Sequence, residues 1–242
     1  MTATATIKGL ATDIIVTVDD QALLDLAVEH IRAVASRLDA TVNRDCDCAE
    51  IEAVDLAGGQ PVLVSSLLDQ LIIDALYFAD LTDDASSVVH GADGDSPVPP
   101  WHRVQLGRGT VTVPSDIRLE LMATARAFLT DRTSGLLTDT LGCGVTVQAG
   151  PVTASPGGAT AMVTSADLSA IIDSPTATTF DCVSVVADTA DLAYTAAVFA
   201  HLHPDIASEW LRDHVRGARL DGPRHATATV GTWPTSDHAS AA

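Results

Sequence analysis

The sequence predicts an α+β fold of mixed helices and sheet, and three observations carry that expectation. Short runs of β-branched residues such as Ile14-Ile15-Val16-Thr17-Val18 have the composition of strands. Longer stretches repeat apolar residues at a helical period. The two kinds of segment alternate irregularly, and no internal repeat organises them.

Taken in order, residues 11–18 read as a strand stopped by Asp19-Asp20. Over residues 21–38, Leu23, Leu24, Ala27, Ile31, Val34 and Leu38 recur every three or four positions, which predicts a helix. A polar, irregular stretch follows around residues 43–50. Gly58-Gly59-Gln60-Pro61 is a turn, residues 62–64 a short strand, and Ser65 or Ser66 can cap a helix reaching residue 79. Residues 83–100 carry Gly91, Gly94, Pro97 and Pro99-Pro100, the composition of a loop. Residues 102–106 and 110–113 flank Gly107-Arg108-Gly109 as a hairpin, and a third helix runs over residues 119–133. Strands are expected at 144–148, 160–164 and 182–187, then helices at 191–202 and 205–214 with Pro204 suited to a first helical turn. Strand-like pieces at 218–220 and 226–230 end the fold. The expected domain spans residues 1–234, with a polar tail over 235–242.

Composition narrows the function. Apolar residues make up 47% and charged residues 19%, a balance that can bury a core. Aromatic residues are only 4%, so Ala, Val, Leu and Ile must fill it. The net charge of −19, with Lys8 the only lysine, disfavours nucleic-acid partners; it suits solvated surface, a basic partner or a salty interior. No apolar run approaches the ~20 residues that span a bilayer. The first residues lack the basic-then-apolar order of a secretion signal, and a cytoplasmic protein with reduced thiols is expected. Cys46 and Cys48 are too close in sequence for an easy disulfide, and Cys143 and Cys182 read as small buried hydrophobes.

Several short motifs, in order, resemble the FAD:protein FMN transferase (ApbE-like flavin transferase) family. Ala11-Thr12 stands where that family has Gly-Thr, and Asn43-Arg44 with Ala49-Glu50 is similar to its next motif. Gly59-Gln60-Pro61-Val62 and Thr82-Asp83-Asp84 follow at similar spacing. Glu120-Leu121-Met122-Ala123-Thr124-Ala125-Arg126-Ala127, with Asp131 beyond it, resembles the family's Asp-Leu-Gly-Ala/Gly-x-Ala-Lys-Gly. Here Met122 and Ala127 replace glycines, and Arg126 replaces lysine. A methionine bars the close backbone approach that glycine permits, and a guanidinium is wider than an ammonium. Gly144 to Pro151 is similar to a Gly-Gly-Asp turn, with Pro151 in the acidic place, and Val163-Thr164-Ser165 echoes Ala-Thr-Ser. Residues 171–177 keep Asp173 and Thr176 of a His-x-x-Asp-Pro-x-Thr-Gly motif and lack its histidine. Between these last two motifs the chain is also short, as though family strands were missing.

The resemblance implies a shortened, divergent T-fold-like member whose substrate is FAD and whose cofactor is Mg²⁺. The ion's protein ligands would be Asp191, Thr195 and the main-chain carbonyl of Ala123. Ala123, Arg126, Gly150 and Ser165 would face the dinucleotide, and Asp173 and Thr176 would lie at the reacting phosphate. FMN would pass to a Thr or Ser of a target flavoprotein. The replaced residues equally fit a catalytically inactive paralogue that binds a flavin, a nucleotide or a protein, including an active relative. Read from the residues alone, Asp191 and Thr195 lie one helical turn apart on one face. That spacing serves a hard cation, or a helix cap with a packed threonine. His201 and His203, two apart on a helix, point about 200° from each other and read as surface or helix-end residues. Trp210-Leu211 reads as a helix anchor in the core.

Overall fold

The computed structural model describes residues 1–46, 49–85, 88–91, 97–168, 179–223 and 226–233. The chain opens with a hairpin of β1 (Ala3–Gly9) and β2 (Thr12–Val18), Gly9 lying opposite Thr12. Its two-residue turn, Leu10-Ala11, takes φ of +52° and +53°, the turn geometry that matches the twist of paired strands. Strand β1 has no counterpart among the sequence expectations, because its Ala-Thr alternation offers little bulk and its order comes from pairing with β2. Helix α1 (Leu24–Val42) buries Ala27, Ile31, Ala35 and Leu38, as the period requires.

A short helix α2 (Glu50–Leu56) begins at the end of the stretch expected to be irregular. The Glu50 carboxylate accepts hydrogen bonds from the Ser65 main-chain N–H and hydroxyl, tying α2 to the next helix start. Strand β3 (Val62–Leu63) leads into α3 (Ser66–Thr82), where Ser65 Oγ accepts the Leu68 N–H. Four short strands follow: β4 (Val89–His90), β5 (Gln105–Leu106), β6 (Thr110–Thr112) and β7 (Arg118–Leu119). The expected hairpin strand at 102–106 is largely a 3-10 turn, Pro100–Arg103, because Pro100 fixes a turn conformation at its start.

Helix α4 (Met122–Leu141) runs past residue 133 to stop at Gly142, whose φ of +68° ends it. Then come β8 (Val145–Ala149), β9 (Val152–Ser155), β10 (Gly158–Thr164), α5 (Ser165–Leu168), β11 (Cys182–Ala187), α6 (Ala190–Leu202), α7 (Pro204–His214), β12 (Gly217–Asp221) and β13 (Thr227–Gly231). Pro204 does occupy the first turn of α7.

One eight-stranded antiparallel sheet, in the order β1-β2-β8-β9-β10-β11-β12-β13, carries the fold. Helices α1, α4, α6 and α7 pack on it, and alternate residues such as Val16, Val147, Ala154, Ala161, Val185 and Leu220 are buried beneath them. Ala190, Ala193, Ala197 and Ala200 let α6 lie close on the strands, which is how a chain poor in aromatics fills its core.

Three expectations need correction. Cys143 and Cys182 are half-buried, as is Cys46: Cys143 lies just before β8, and Cys182 opens β11 with its thiol 3.9 Å from Ser184 Oγ on the uncovered side of the sheet. His201 stands in the last turn of α6, a helix-end residue as expected, but it is not on the surface: it is 4% exposed, and its Nε2 lies 2.9 Å from the Val163 carbonyl, because α6 presses that face on β10. Trp210 is only half-buried, stacked between Phe199 and His214, while Leu211 takes the core position. Cys48 and the tail over 235–242 lie outside the described residues.

Candidate functional site

A cleft of about 400 Å³ opens where the far half of α3, the first turns of α4 and α6, and α5 meet. Ala75 and Phe78 come from α3, Met122 to Thr124 and Arg126 from α4, Asp167 from α5, and Asp191, Tyr194 and Thr195 from α6. Local chemistry fixes these helix starts. Thr189 Oγ1 accepts the Leu192 N–H at 3.3 Å, and Asp131 Oδ2, from α4, accepts the Ala190 N–H at 2.8 Å. On the other wall, Arg44 forks onto Asp55 and donates to the Leu119 carbonyl at 2.7 Å. It also lies 3.6 Å from Glu120, so it anchors the segment that leads into α4.

Asp191 and Thr195 face this cleft from successive turns, and among the described residues neither side chain is hydrogen-bonded. Burial pushes the Asp191 carboxyl well above its ordinary value, and the nearby Asp74 and Asp131 add to the rise. Burial likewise raises Asp74, against a bond from Gln70, and takes Asp131 to about 6, against the Ala190 N–H. A crowded, under-compensated set of carboxylates borders the site, which is the electrostatic condition a cation relieves.

Arg126 brings positive charge to the same wall. Its Nε donates to the Leu10 carbonyl at 3.0 Å, so the hairpin turn holds the guanidinium in place. Burial lowers its pKa, and Tyr194, Glu120 and Asp39 oppose that shift. Tyr194 is pushed up to about 12 by burial, so its phenol stays protonated and can donate a hydrogen bond into the cleft.

The structure thus brings Ala123, Arg126, Asp191 and Thr195 together. Gly150 and Ser165 are not on the cleft wall, although Pro151, Ala166 and Asp167 beside them are. Gly150 sits behind Arg126, whose Cδ would lie 3.7 Å from a side-chain carbon at that position. Asp173 and Thr176 lie outside the described residues. Tyr194, Asp167 and His90 also line the cleft with no role foreseen for them. Tyr194 was legible in principle, since it stands between Asp191 and Thr195 and one turn above Ala190.

Among the described residues no three His, Cys, Asp or Glu side chains group as a metal site. A divalent ion here would rely on one carboxylate, one hydroxyl and a main-chain oxygen. That all-oxygen, carboxylate-poor set fits Mg²⁺, which retains water and substrate oxygens in its shell.

No protein-family model and no curated protein matches the chain. Solved structures do. The ApbE protein of Thermotoga maritima superposes with a TM-score of 0.77 at 15% identity, over 95% of this chain and 97% of that one. The apo form of the Pseudomonas stutzeri flavinyl transferase ApbE gives 0.78 at 10% identity, over 95% of each. The Vibrio cholerae flavin transferase ApbE gives 0.74 at 11%, over 96% and 97%. At such identities the likeness is one of architecture, and it spans almost the full length of both chains: this protein has the fold of the ApbE flavin transferases.

Proposed function

We propose that the protein is a divergent flavin transferase that moves FMN from FAD to a Thr or Ser hydroxyl of a target protein, with Mg²⁺. The observation that carries this reading is the convergence of Ala123, Arg126, Asp191 and Thr195 on one cleft in a flavin-transferase fold. Asp191, Thr195 and the Ala123 carbonyl would hold the cation, which when bound neutralises charge on the pyrophosphate. Arg126, fixed by Leu10, would meet a phosphate oxygen. Tyr194 would donate its phenolic hydrogen bond to the same group. In the transfer, the acceptor oxygen bonds to the FMN phosphorus and the bond from that phosphorus to the bridging oxygen breaks. AMP leaves with that oxygen, and the hydroxyl proton goes to a base. The test is AMP release from FAD with Mg²⁺ and an acceptor flavoprotein, followed by mass spectrometry for an added FMN. Binding of FAD without AMP release would reject the enzymatic reading.

That outcome would support the second reading, a non-catalytic paralogue that retains the ligand. Its supporting observation is Met122 on the cleft wall, which narrows the approach to the α4 backbone. Isothermal titration with FAD, with and without Mg²⁺, separates either reading from a purely structural subunit.

A further inference from the structure

The eight-stranded sheet has two unlike faces. One lies beneath the helices. The other carries the alternate residues of every strand, and among the described residues its charges lie at the margins and nearly cancel. The chain as a whole has 32 acids against 13 bases. Among the described residues the charged side chains on this face are Lys8 with Asp13 and Arg219 with Asp221, each an ion pair and one at either flank of the sheet, and Asp19, past the end of β2 and over Gly144. Between them stand neutral residues. Thr17 lies opposite Thr146, Gln148 opposite Thr153, and Thr153 opposite Thr160. Met162, 59% exposed, projects from β10 opposite Ser184, near the middle of the sheet.

An ordinary solvated sheet face in so acidic a chain would share the acidic excess. This one has the layout of an interface instead, with a neutral and partly apolar centre bounded by charge at the rim. Eight strands at their usual spacing, about five residues long, present roughly 34 Å by 17 Å. Two such faces in contact would bury about 1,100 Å², just above the lower bound for a specific but weak association.

We propose that this face pairs with the same face of a second copy of the chain. Electrostatics select the occupant. Two molecules of charge −19 repel through their helical layers, where α1 exposes Asp25 and Glu29 and α7 exposes Glu209 and Asp213. Sheet-to-sheet contact is the orientation that brings neutral surfaces together and holds the acidic layers farthest apart. With sheets about 10 Å apart, the helical layers are separated by more than the ~8 Å screening length at physiological salt. Added salt therefore strengthens this dimer, whereas it would weaken a complex with a basic partner.

Sedimentation equilibrium of the full chain at rising protein and NaCl concentrations tests the pairing. Dimer mass should grow with both. The double variant Thr160→Lys, Met162→Lys lowers the net negative charge but sets like charges at the centre of the face, and it should weaken dimerisation about tenfold or more. Glu29→Lys on α1, the same charge change on the helical side, should leave it intact or slightly stronger. Thr153→Lys serves in place of the double variant if circular dichroism shows the latter misfolded. A wild-type chain that stays monomeric throughout overturns the proposal. So does a dimer that survives the sheet-face lysines, or a monomer that instead binds phosphatidylcholine vesicles through this face.

Discussion

Asp131 on α4 and Ala190 on α6 are joined by a hydrogen bond from the Ala190 N–H to Asp131 Oδ2 at 2.8 Å. This contact ties the helix that carries Ala123 and Arg126 to the helix that carries Asp191 and Thr195. An Asn at position 131 can still accept the N–H, and an Ala cannot. Denaturant unfolding at neutral pH should therefore place Asp131→Ala about 1 kcal/mol below Asp131→Asn. Equal stability of the two variants would show that the bond contributes nothing to helix placement.

The same carboxyl makes stability depend on pH. Burial takes both Asp131 and Asp84 to about 6, from an ordinary value of 3.8, with Asp84 still accepting the Val88 N–H. A raised carboxyl pKa means that the folded state holds the proton more tightly than the unfolded chain. Their contribution to stability should thus be greatest below about pH 4, fall as pH rises toward 6, and level off above it. Repulsion within a chain of charge −19 acts in the same direction, so the comparison with Asp131→Asn isolates the local effect. Thermal melts from pH 4 to 7.5 should show a shallower decline for the variant, by about 1–2 kcal/mol after allowing for partial solvent access.

Ala11 sits in the left-handed region with φ +53°, a conformation that costs an L-residue roughly 1 kcal/mol and glycine almost nothing. Ala11→Gly should raise stability by about 0.5–1 kcal/mol. Leu10, at φ +52°, should respond oppositely, because its side chain is fully buried and truncation leaves a cavity. A melting temperature lowered by Ala11→Gly would contradict the turn geometry.

The sequence made these features unequally visible. Helices α1, α3 and α7 were legible because each buries one face of a regular period, and α3 and α7 also carry readable start signals in Ser65 and Pro204; α6 is buried on nearly all sides from Ala193 to His201, so an apolar run rather than a period marks it. Strands β1, β4, β7 and β9 were missed because they are short, small-sided or edge-like, and pairing rather than composition makes them strands. At the site, the one-turn spacing of Asp191 and Thr195 announced a shared face. The inward turn of His201 did not show, since a histidine whose Nε2 meets the Val163 carbonyl looks the same in sequence as a solvated one. Nor did the role of Arg44, whose partners Leu119 and Glu120 lie some 75 residues away.

Arg44 gives a prediction of its own. Its fork onto Asp55 and its bond to the Leu119 carbonyl use donors that a lysine cannot place together. Arg44→Ala should cost about 2–3 kcal/mol, since it strips the partners of a half-buried carboxylate and a carbonyl. Arg118, 3.4 Å from Asp55, limits the loss. Arg44→Lys should recover less than half of it, as read from chemical denaturation.

Met122 decides how closely a ligand can approach the start of α4. It is half-buried on the cleft wall, and its N–H donates to Glu120 Oε1 at 3.1 Å, so the main chain is held while the side chain fills space. Met122→Gly removes that side chain and leaves the N–H in place. The cost is about 1–2 kcal/mol from lost packing and added backbone freedom. If the side chain is what narrows the cleft, FAD affinity in the presence of Mg²⁺ should rise several-fold in Met122→Gly, with Met122→Ala intermediate. If Asp191 holds the cation as proposed, the Asp191→Ala change made on top of Met122→Gly should abolish the gain. A folded Met122→Gly protein that binds FAD no better than wild type would move the obstruction elsewhere on the wall, with Tyr194 the next side chain to truncate.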